Sequence, residues 1–481
     1  MTEDRTRYSS LLGRRYGKEM SPIFSDAHKF ETWRDCWIAL AEAEYELGLA
    51  GVRQEQVDSL KVFSRDINYD VAEAREKTIR HDVMSHVYAF GQQCPEAAGI
   101  IHAGATSCDI TDNTELMQMY QGLNLVRTKL VNVIKLFADF AIQHKDLACL
   151  GFTHYQPAQP TTLGKRAAMW AGNFVLDYHQ VSDLQDNWRL RGLKGATGTQ
   201  ASFLELAEGD EAKVVELERR FLLKLGCNPD YAFIVTGQTY PRKYDSMTLQ
   251  VLAGIGESAH KFGIDARILQ NRKELEEPFE KNQVGSSAMA YKRNPMRLER
   301  MCGLARGLFA RVQEARMTSS VQFLERTLDD SAPRRDYIAQ AFIGADEVLN
   351  LAMNVMENPA VFPAMIKRNL DLELPFMVTE NILMAAVKAG KDRQEIHERI
   401  RQHSQKAAEL IKETGADNRL LEMLASDPLI GMSLPEIKAE VDVHKFIGRA
   451  PSQVQEFYDR EVTPILEAEK DNLGDKSSVD V

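Results

Sequence analysis

Between residues 116 and 140 the apolar positions are Leu116, Met119, Leu123, Val126, Leu130, Val133, Phe137 and Phe140. The steps between them alternate three and four throughout. Such spacing holds one apolar stripe on a helix for about seven turns. A stripe that narrow fits near-parallel packing against other helices, as in a coiled coil or a long bundle. The pattern repeats at Leu298, Met301, Leu304, Leu308 and Val312, and again from Met247 to Leu269. The stretch FETWRDCWIALAEAEYELGL also reads as helix, with apolar residues three and four apart. Extended pieces are expected only at CLGFTHYQ and YAFIVTGQTY, both bounded by Gly and Pro. The fold class predicted is all-α, in three mainly helical parts. An N-terminal helical domain covers 1–110, a central long-helix bundle 111–360, and a smaller C-terminal helical domain 361–481. The tail DNLGDKSSVDV has the composition of a disordered segment. Seams with more apolar face than one bundle needs predict packing against copies of the same chain.

Charge and punctuation narrow the function. The 481 residues carry a formal net charge of -11. That argues against broad binding to nucleic acid or to an anionic membrane, since both need a basic face. A small anionic substrate needs only a few clustered cations. No apolar run approaches the ~20 residues that span a bilayer. The N-terminal MTEDRTRYSS is charged and unlike a secretory signal, and the ending SSVDV matches no retention, peroxisomal or prenylation motif. Cys36, Cys94, Cys108, Cys149, Cys227 and Cys302 are scattered without a Cys-x-x-Cys pair. They form neither a disulfide framework nor a zinc site, so a reducing cytoplasmic compartment is expected.

Six stretches hold polar residues that folding does not ask for: RRYG (14–17), RHDVMSH (80–86), GATSCD (104–109), FTHYQPAQPTT (152–162), GSSAMAYKRNP (285–295) and ERTLDDSAPRR (325–335). Their Arg, Lys, His, Ser, Thr, Asn and Gln suit a substrate with several carboxylates or a phosphate. They lack the acidic cluster of a Mg²⁺ or Ca²⁺ site, and the chain lacks a Walker loop or a Gly-x-Gly-x-x-Gly turn. Neither a metal nor a cofactor is expected. Each stretch also has a structural meaning. Gly285-Ser286-Ser287 reads equally as a linker, and His154 as a structural hydrogen-bonder. His81 and His86 are five apart and share no helix face. Thr106 or Ser107 is a candidate cap for the helix DITDNTELMQ, with Asp109 or Thr111 favoured. ERTLDDSAPRR is expected to end a long helix, with Arg334 and Arg335 as a solvated pair there.

GSSAMAYKRNP resembles the signature loop of the fumarase/aspartase lyase superfamily, Gly-Ser-Ser-x-Met-Pro-x-Lys-x-Asn-Pro, departing from it at Ala290. Lys-Arg-Asn-Pro followed by MRLER resembles the adenylosuccinate lyase family within it. So do FTHYQPAQPTT, RHDVMSH, GATSCD, VTGQTYPRK and ERTLDDSAPRR, in the expected order from Arg15 to Arg335. The resemblance implies β-elimination of fumarate from adenylosuccinate, giving AMP, and from the succinylated carboxamide ribotide SAICAR, giving AICAR. It implies a bundle fold of the fumarase/aspartase type and a homotetramer with active sites shared between subunits. Argininosuccinate lyase, fumarase, aspartase or a cycloisomerase would be other members. A non-catalytic scaffold would be expected to lack His154, Ser286 or Lys292, and all three are present.

The same resemblance assigns roles. Ser286 matches the base that removes a carbon-bound proton, and His154 the acid that protonates the departing nitrogen. Lys292 and Asn294 match groups that stabilise charge and bind the succinyl carboxylate, on a mobile loop (282–295) that closes over substrate. His81, flanked by Arg80 and Asp82, matches a second active-site histidine that binds and orients substrate. Arg15 and Tyr16 match a nucleotide-binding pair. Thr106 and Ser107 match hydroxyl donors to the succinyl carboxylates, and Gln238 an amide contact. Arg300, Arg326, Ser331 and Arg335 match phosphate- and nucleotide-binding positions.

Overall fold

The computed structural model describes residues 4–477. Its elements, labelled in chain order, are α1 (Asp26–Leu47), α2 (Tyr69–Ile79), α3 (Asp82–Gln93), α4 (Ser107–Gln143), β1 (Ala148–Thr153), β2 (Gln156–Thr162), α5 (Leu163–Asp186), α6 (Lys243–Asn271), β3 (Leu275–Glu276), α7 (Met296–Ser320), α8 (Ser331–Glu357) and β4 (Ala360–Val361). Shorter helices join these and follow them. Among the described residues, sheet is confined to two small antiparallel pairs, β1 with β2 and β3 with β4. CLGFTHYQ therefore does fall in a hairpin. YAFIVTGQTY does not form a strand: its one bridge is Leu190 with Ala232. The rest runs as an irregular segment pinned by Gln238 N–H to the Glu325 carbonyl at 2.9 Å.

The 37-residue α4 carries the alternating seam, and all eight seam residues are buried. It packs on α5 and α8, while α6 packs on α7 and α7 on α8. α5 runs opposite to α4, and α7 opposite to α6 and α8, whereas α4, α6 and α8 run parallel. The start of α6 meets the start of α8 through Arg334 and Asp245, and its end meets the loop entering α7 through Gln270 and Arg293. Local chemistry sets the starts. Ser25 caps α1, Asn68 caps α2, and Thr162 caps α5 by accepting from Lys165 N–H at 3.0 Å. Thr106 caps α4, and Asp109 is the third residue of its capping box, accepting the Thr106 N–H at 2.8 Å. The cap expected at Asp109 or Thr111 is thus corrected: the helix begins earlier, at Ser107.

The N-terminal helices share one continuous core with the bundle, through Trp33, Trp37 and Phe90. A second apolar cluster, from Leu374 to Ile437, lies apart from it. The chain then returns to the bundle, where Val454, Val462 and Ile465 rejoin the main core. The expected disordered tail is corrected as far as Ser477. Asn132 Nδ2 donates to the Asn472 carbonyl at 2.8 Å, Gly474 N–H donates to Asn132 Oδ1 at 2.9 Å, and Asn354 Nδ2 donates to Ser477 Oγ at 3.2 Å. The last four residues of that tail lie outside the described residues. No helix among the described residues is long and apolar enough to cross a membrane.

Candidate active site

Three helices begin around one cavity of about 430 Å³. α3 contributes Asp82 beside its cap His81, α4 contributes Ser107, Cys108 and Thr111, and α8 contributes Ser331, Arg334 and Arg335. Helix N-termini present unpaired N–H groups and a partial positive charge, so their convergence favours an anion. Lys29, Arg80, Arg242 and Arg326 also line the cavity, with Gln238. Of the residues assigned from sequence, Arg80, His81, Asp82, Ser107, Gln238, Arg326, Ser331 and Arg335 meet here; Thr106 caps the helix that carries Ser107.

The cations divide into structural and available ones. Arg242 is buried and donates from Nε to Asp330 Oδ2 at 2.7 Å and from both Nη atoms to Asp112. Arg334 is buried and donates to Asp245 Oδ2 at 2.8 Å, with Glu115 Oε2 at 2.7 Å. Burial opposes the Asp330 charge, but Arg242 and Arg326 outweigh it and hold its carboxyl below the usual range. Arg334 is therefore not the solvated residue expected; only Arg335 is exposed. ERTLDDSAPRR does not end a helix either. It links α7 to α8 and opens α8.

His81 Nδ1 accepts from Met84 N–H, which leaves the proton on Nε2, 3.5 Å from Ser107 Oγ. His86 is the structural histidine of that stretch. It stacks on Phe30 with ring centroids 3.9 Å apart, and burial, then Lys29 and Arg34, lower its pKa to about 4.

His154 lies elsewhere, at the tip of the β1–β2 hairpin. The two residues of its turn, His154 and Tyr155, have φ of 53° and 56°. Positive φ at both positions is the type I′ geometry, which favours Asn-Gly. Non-glycine residues held there cost of order 1 kcal/mol or more each. Both side chains are exposed.

The loop between β3 and α7 has a closed neck. Asn294 Nδ2 donates to the Gly285 carbonyl at 2.8 Å. A Cβ on Gly285 would stand 2.3 Å from the Lys292 carbonyl oxygen, so only glycine fits there. Ser286 Oγ accepts from Met289 N–H at 3.1 Å and faces Ala288 N–H at 3.4 Å. Two backbone donors thus point at the serine oxygen, which favours negative charge on it. Lys292 is exposed on the same loop. Nearby on α7, the Arg300 guanidinium stands 5.7 Å over the Tyr16 ring, and Arg15 beside it is exposed.

The two groups sit at opposite ends of α6. Asp245, near its start, belongs to the cavity through Arg334. Arg272, just past its end, lies over the Phe152 ring of the hairpin at 4.7 Å. The 27 residue steps from one to the other span about 40 Å of helix. Within one chain, His154 and Ser286 do not reach the cavity. Residues missed from sequence include Arg242 and Arg334, both inside stretches already singled out, and Lys29, for which the sequence held no signal.

The architecture is that of two solved bundle enzymes. One is a 3-carboxy-cis,cis-muconate lactonizing enzyme from Pseudomonas putida, with TM-score 0.80 and 23% identity over 94% of this chain and 98% of that one. The other is a fumarate lyase from Mesorhizobium sp. BNC1, with TM-score 0.79 and 22% identity over 94% and 100%. Residues 42–310 match the family model described as Lyase, and residues 375–457 the one described as Adenylosuccinate lyase C-terminus. Fold and site together define a lyase of the fumarase/aspartase superfamily. Adenylosuccinate lyases of Saccharomyces cerevisiae and Schizosaccharomyces pombe are 47% and 45% identical, each over 96% or more of both chains, and that of Schistosoma mansoni is 44% identical over 98% of this chain. The chain belongs to the adenylosuccinate lyase family.

Proposed function

We propose that this chain is a carbon–nitrogen lyase of purine nucleotide biosynthesis. It eliminates fumarate from adenylosuccinate, leaving AMP, and from SAICAR, leaving AICAR. The observation that carries this is the convergence of three helix N-termini with Arg80, Arg326 and Arg335 on one cavity. That receptacle suits a substrate with several anionic groups.

Elimination removes a proton from the carbon beside a carboxylate and breaks the C–N bond on the next carbon. Ser286 Oγ takes the proton as an alkoxide. The Met289 and Ala288 N–H groups and Lys292 stabilise that charge, which a free serine hydroxyl does not hold at neutral pH. The electron pair moves into the carboxylate and then forms the double bond of fumarate as nitrogen departs. His154 supplies the proton to nitrogen. His81, Thr106 and Ser107 orient the succinyl carboxylates, and Gln238, Arg326, Ser331 and Arg335 hold the nucleotide with Arg15, Tyr16 and Arg300. Asn294 keeps the loop neck closed while its tip moves. The scheme uses no metal and no cofactor.

The separation along α6 supports a reading with more than one copy per site. We assign a homotetramer whose subunits lend the hairpin and the loop to one another's cavities. Met169 and Leu176 on α5, Met247 and Ile264 on α6 and Met317 on α7 are exposed apolar residues that support such packing. The three-part division at 110 and 360 belongs to the same reading; the separate cluster from Leu374 to Ile437 supports its last part. The free thiols support a cytoplasmic location.

The test is product analysis after incubation with adenylosuccinate, for the wild type and for Ser286→Ala and His154→Ala. The wild type is expected to release fumarate and AMP, and each variant to fall by at least about 10²-fold in kcat. A wild type inactive on adenylosuccinate but active on another succinylated amine would overturn the substrate. An active Ser286→Ala would overturn the base.

A further inference from the structure

Beneath Tyr16 and Arg300 lies a buried charge cluster that the scheme above does not use. On α8, Asp346 and Glu347 are adjacent and 0% and 3% exposed. Carboxylates buried that deeply need counter-charges. Asp346 takes Lys129 of α4, whose Nζ donates to Asp346 Oδ1 at 2.5 Å and lies 2.7 Å from Glu19 Oε2. One buried ammonium therefore ties α4, α8 and the N-terminal segment together. Glu347 serves the other side of that segment. The Arg300 guanidinium and the Gly17 N–H both favour its charged form. Gly17 is pressed onto α8 at this point. It has φ of +66°, and a Cβ there would lie 2.8 Å from Ile343 Cγ2, one turn before Glu347. Among the described residues Glu347 Oε1 has no hydrogen-bond partner. Burial first, then Asp346, push the Glu347 carboxyl up to about 7, against Arg300, Lys129 and the Gly17 N–H. The Glu347 charge is thus offset by Lys129 on one side and by the Arg300 guanidinium and the Gly17 N–H on the other.

We propose that Glu347 is a positioning residue for substrate binding, setting the Arg15–Gly17 segment and the Arg300 guanidinium in register so that Tyr16 and Arg300 form one surface for the phosphorylated ribose. Glu347 touches no substrate atom and takes part in no proton transfer. Its loss therefore weakens ground-state binding and leaves the chemical step alone, which separates it from a residue that only fills the core. The inference rests on the assignment of Arg15, Tyr16 and Arg300 to substrate binding made above.

Steady-state kinetics of the full chain on adenylosuccinate test it, with Glu347→Ala, Glu347→Asp, Glu347→Gln and Arg300→Ala compared with wild type. Glu347→Ala is expected to raise KM about tenfold with kcat within about twofold. Glu347→Asp keeps the charge but withdraws it from Gly17, and is expected to follow Glu347→Ala. Glu347→Gln keeps an acceptor for the Gly17 N–H and is expected to recover most of the lost KM. If Glu347→Ala does not fold, the contrast between Glu347→Asp and Glu347→Gln carries the test. An unchanged KM in both the Ala and Asp variants, or a fall in kcat at constant KM, overturns the proposal. Arg300→Ala separates the two readings. If it leaves KM unchanged, the binding assignment itself falls. If it raises KM while the Glu347 variants do not, only the positioning role falls.

Discussion

Glu44 of α1 is fully buried, and neither carboxylate oxygen has a hydrogen-bond partner among the described residues. Burial alone pushes its carboxyl up to about 8. A raised carboxyl pKa means the folded state holds a proton that the unfolded state has lost. The associated stability is complete below about pH 4.5 and is lost as pH rises through about 8, a change on the order of 4 kcal/mol. Glu44→Gln removes the titration. Its melting temperature relative to wild type, at fixed protein concentration, is expected to climb by several degrees from pH 5 to pH 8; a constant offset would contradict this. Glu44 also marks what sequence hides at this scale. It lies among polar neighbours, Glu42, Tyr45 and Glu46, of which Glu42 and Glu46 pair with lysines at the surface, so its type gives no sign of its burial. Arg334 is the same case. Its identity with exposed Arg335 suggests two solvated cations, whereas helical phase turns one into the core toward Asp245 and leaves the other at the cavity. His154 was legible through its surrounding motif, but its strained turn was not, since His-Tyr lacks the glycine that normally announces type I′ geometry.

Elements carry the second layer. The signature loop was legible as a motif, and its shape follows from two contacts the motif itself supplies, Gly285 against the Lys292 carbonyl and Asn294 onto the Gly285 carbonyl. Its departure at Ala290 now has a setting. Lys292 N–H donates to the Met289 carbonyl at 2.9 Å, which closes a turn with Ala290 at its second position. Proline fits that position because its fixed φ matches the turn. Ala290→Pro is therefore expected to stabilise the loop by about 0.4–1 kcal/mol through the unfolded chain. Limited proteolysis within 285–294 should slow while kcat stays within about twofold of wild type. Faster cleavage, or a large fall in kcat, would mean the closed loop needs a different φ at Ala290. YAFIVTGQTY misled for a related reason. Its β-branched and aromatic residues match strand composition, but Gly237 packs against the Glu325 backbone and Gln238 is drawn to the cavity, so tertiary contacts override propensity. The alternating seams did not mislead, because a narrow stripe repeated over many turns has few other solutions.

At the scale of the molecule, the sequence presented the proposed catalytic residues in order but gave no distances between them. The long seams implied long helices, and long helices separate what they join. The cavity gathers at one end of α6 and the hairpin and loop hang from the other, about 40 Å away. On the proposed scheme a site needs both ends and draws them from different copies, with antiparallel packing bringing one copy's hairpin to another's cavity. This makes a specific demand on mixtures. On the proposed roles, His154→Ala removes the acid on the hairpin and Arg335→Ala removes a cation of the cavity, so each variant alone is expected to be inactive or nearly so. In a hybrid, a cavity from the first variant can meet a hairpin from the second, and that site is wild type in every residue. Random mixing at equal amounts makes about a quarter of the sites intact. Co-refolded or co-expressed variants are therefore expected to recover about a quarter of wild-type kcat, with KM for adenylosuccinate unchanged in the recovered fraction. The pair His154→Ala and Ser286→Ala extends the measurement. Recovery there requires the hairpin and the loop of one site to come from different subunits, and silence there alongside recovery in the first pair means that one subunit lends both. No recovery in the first pair would mean that a single chain bends to close its own site, against the straight run of α6 between its two ends.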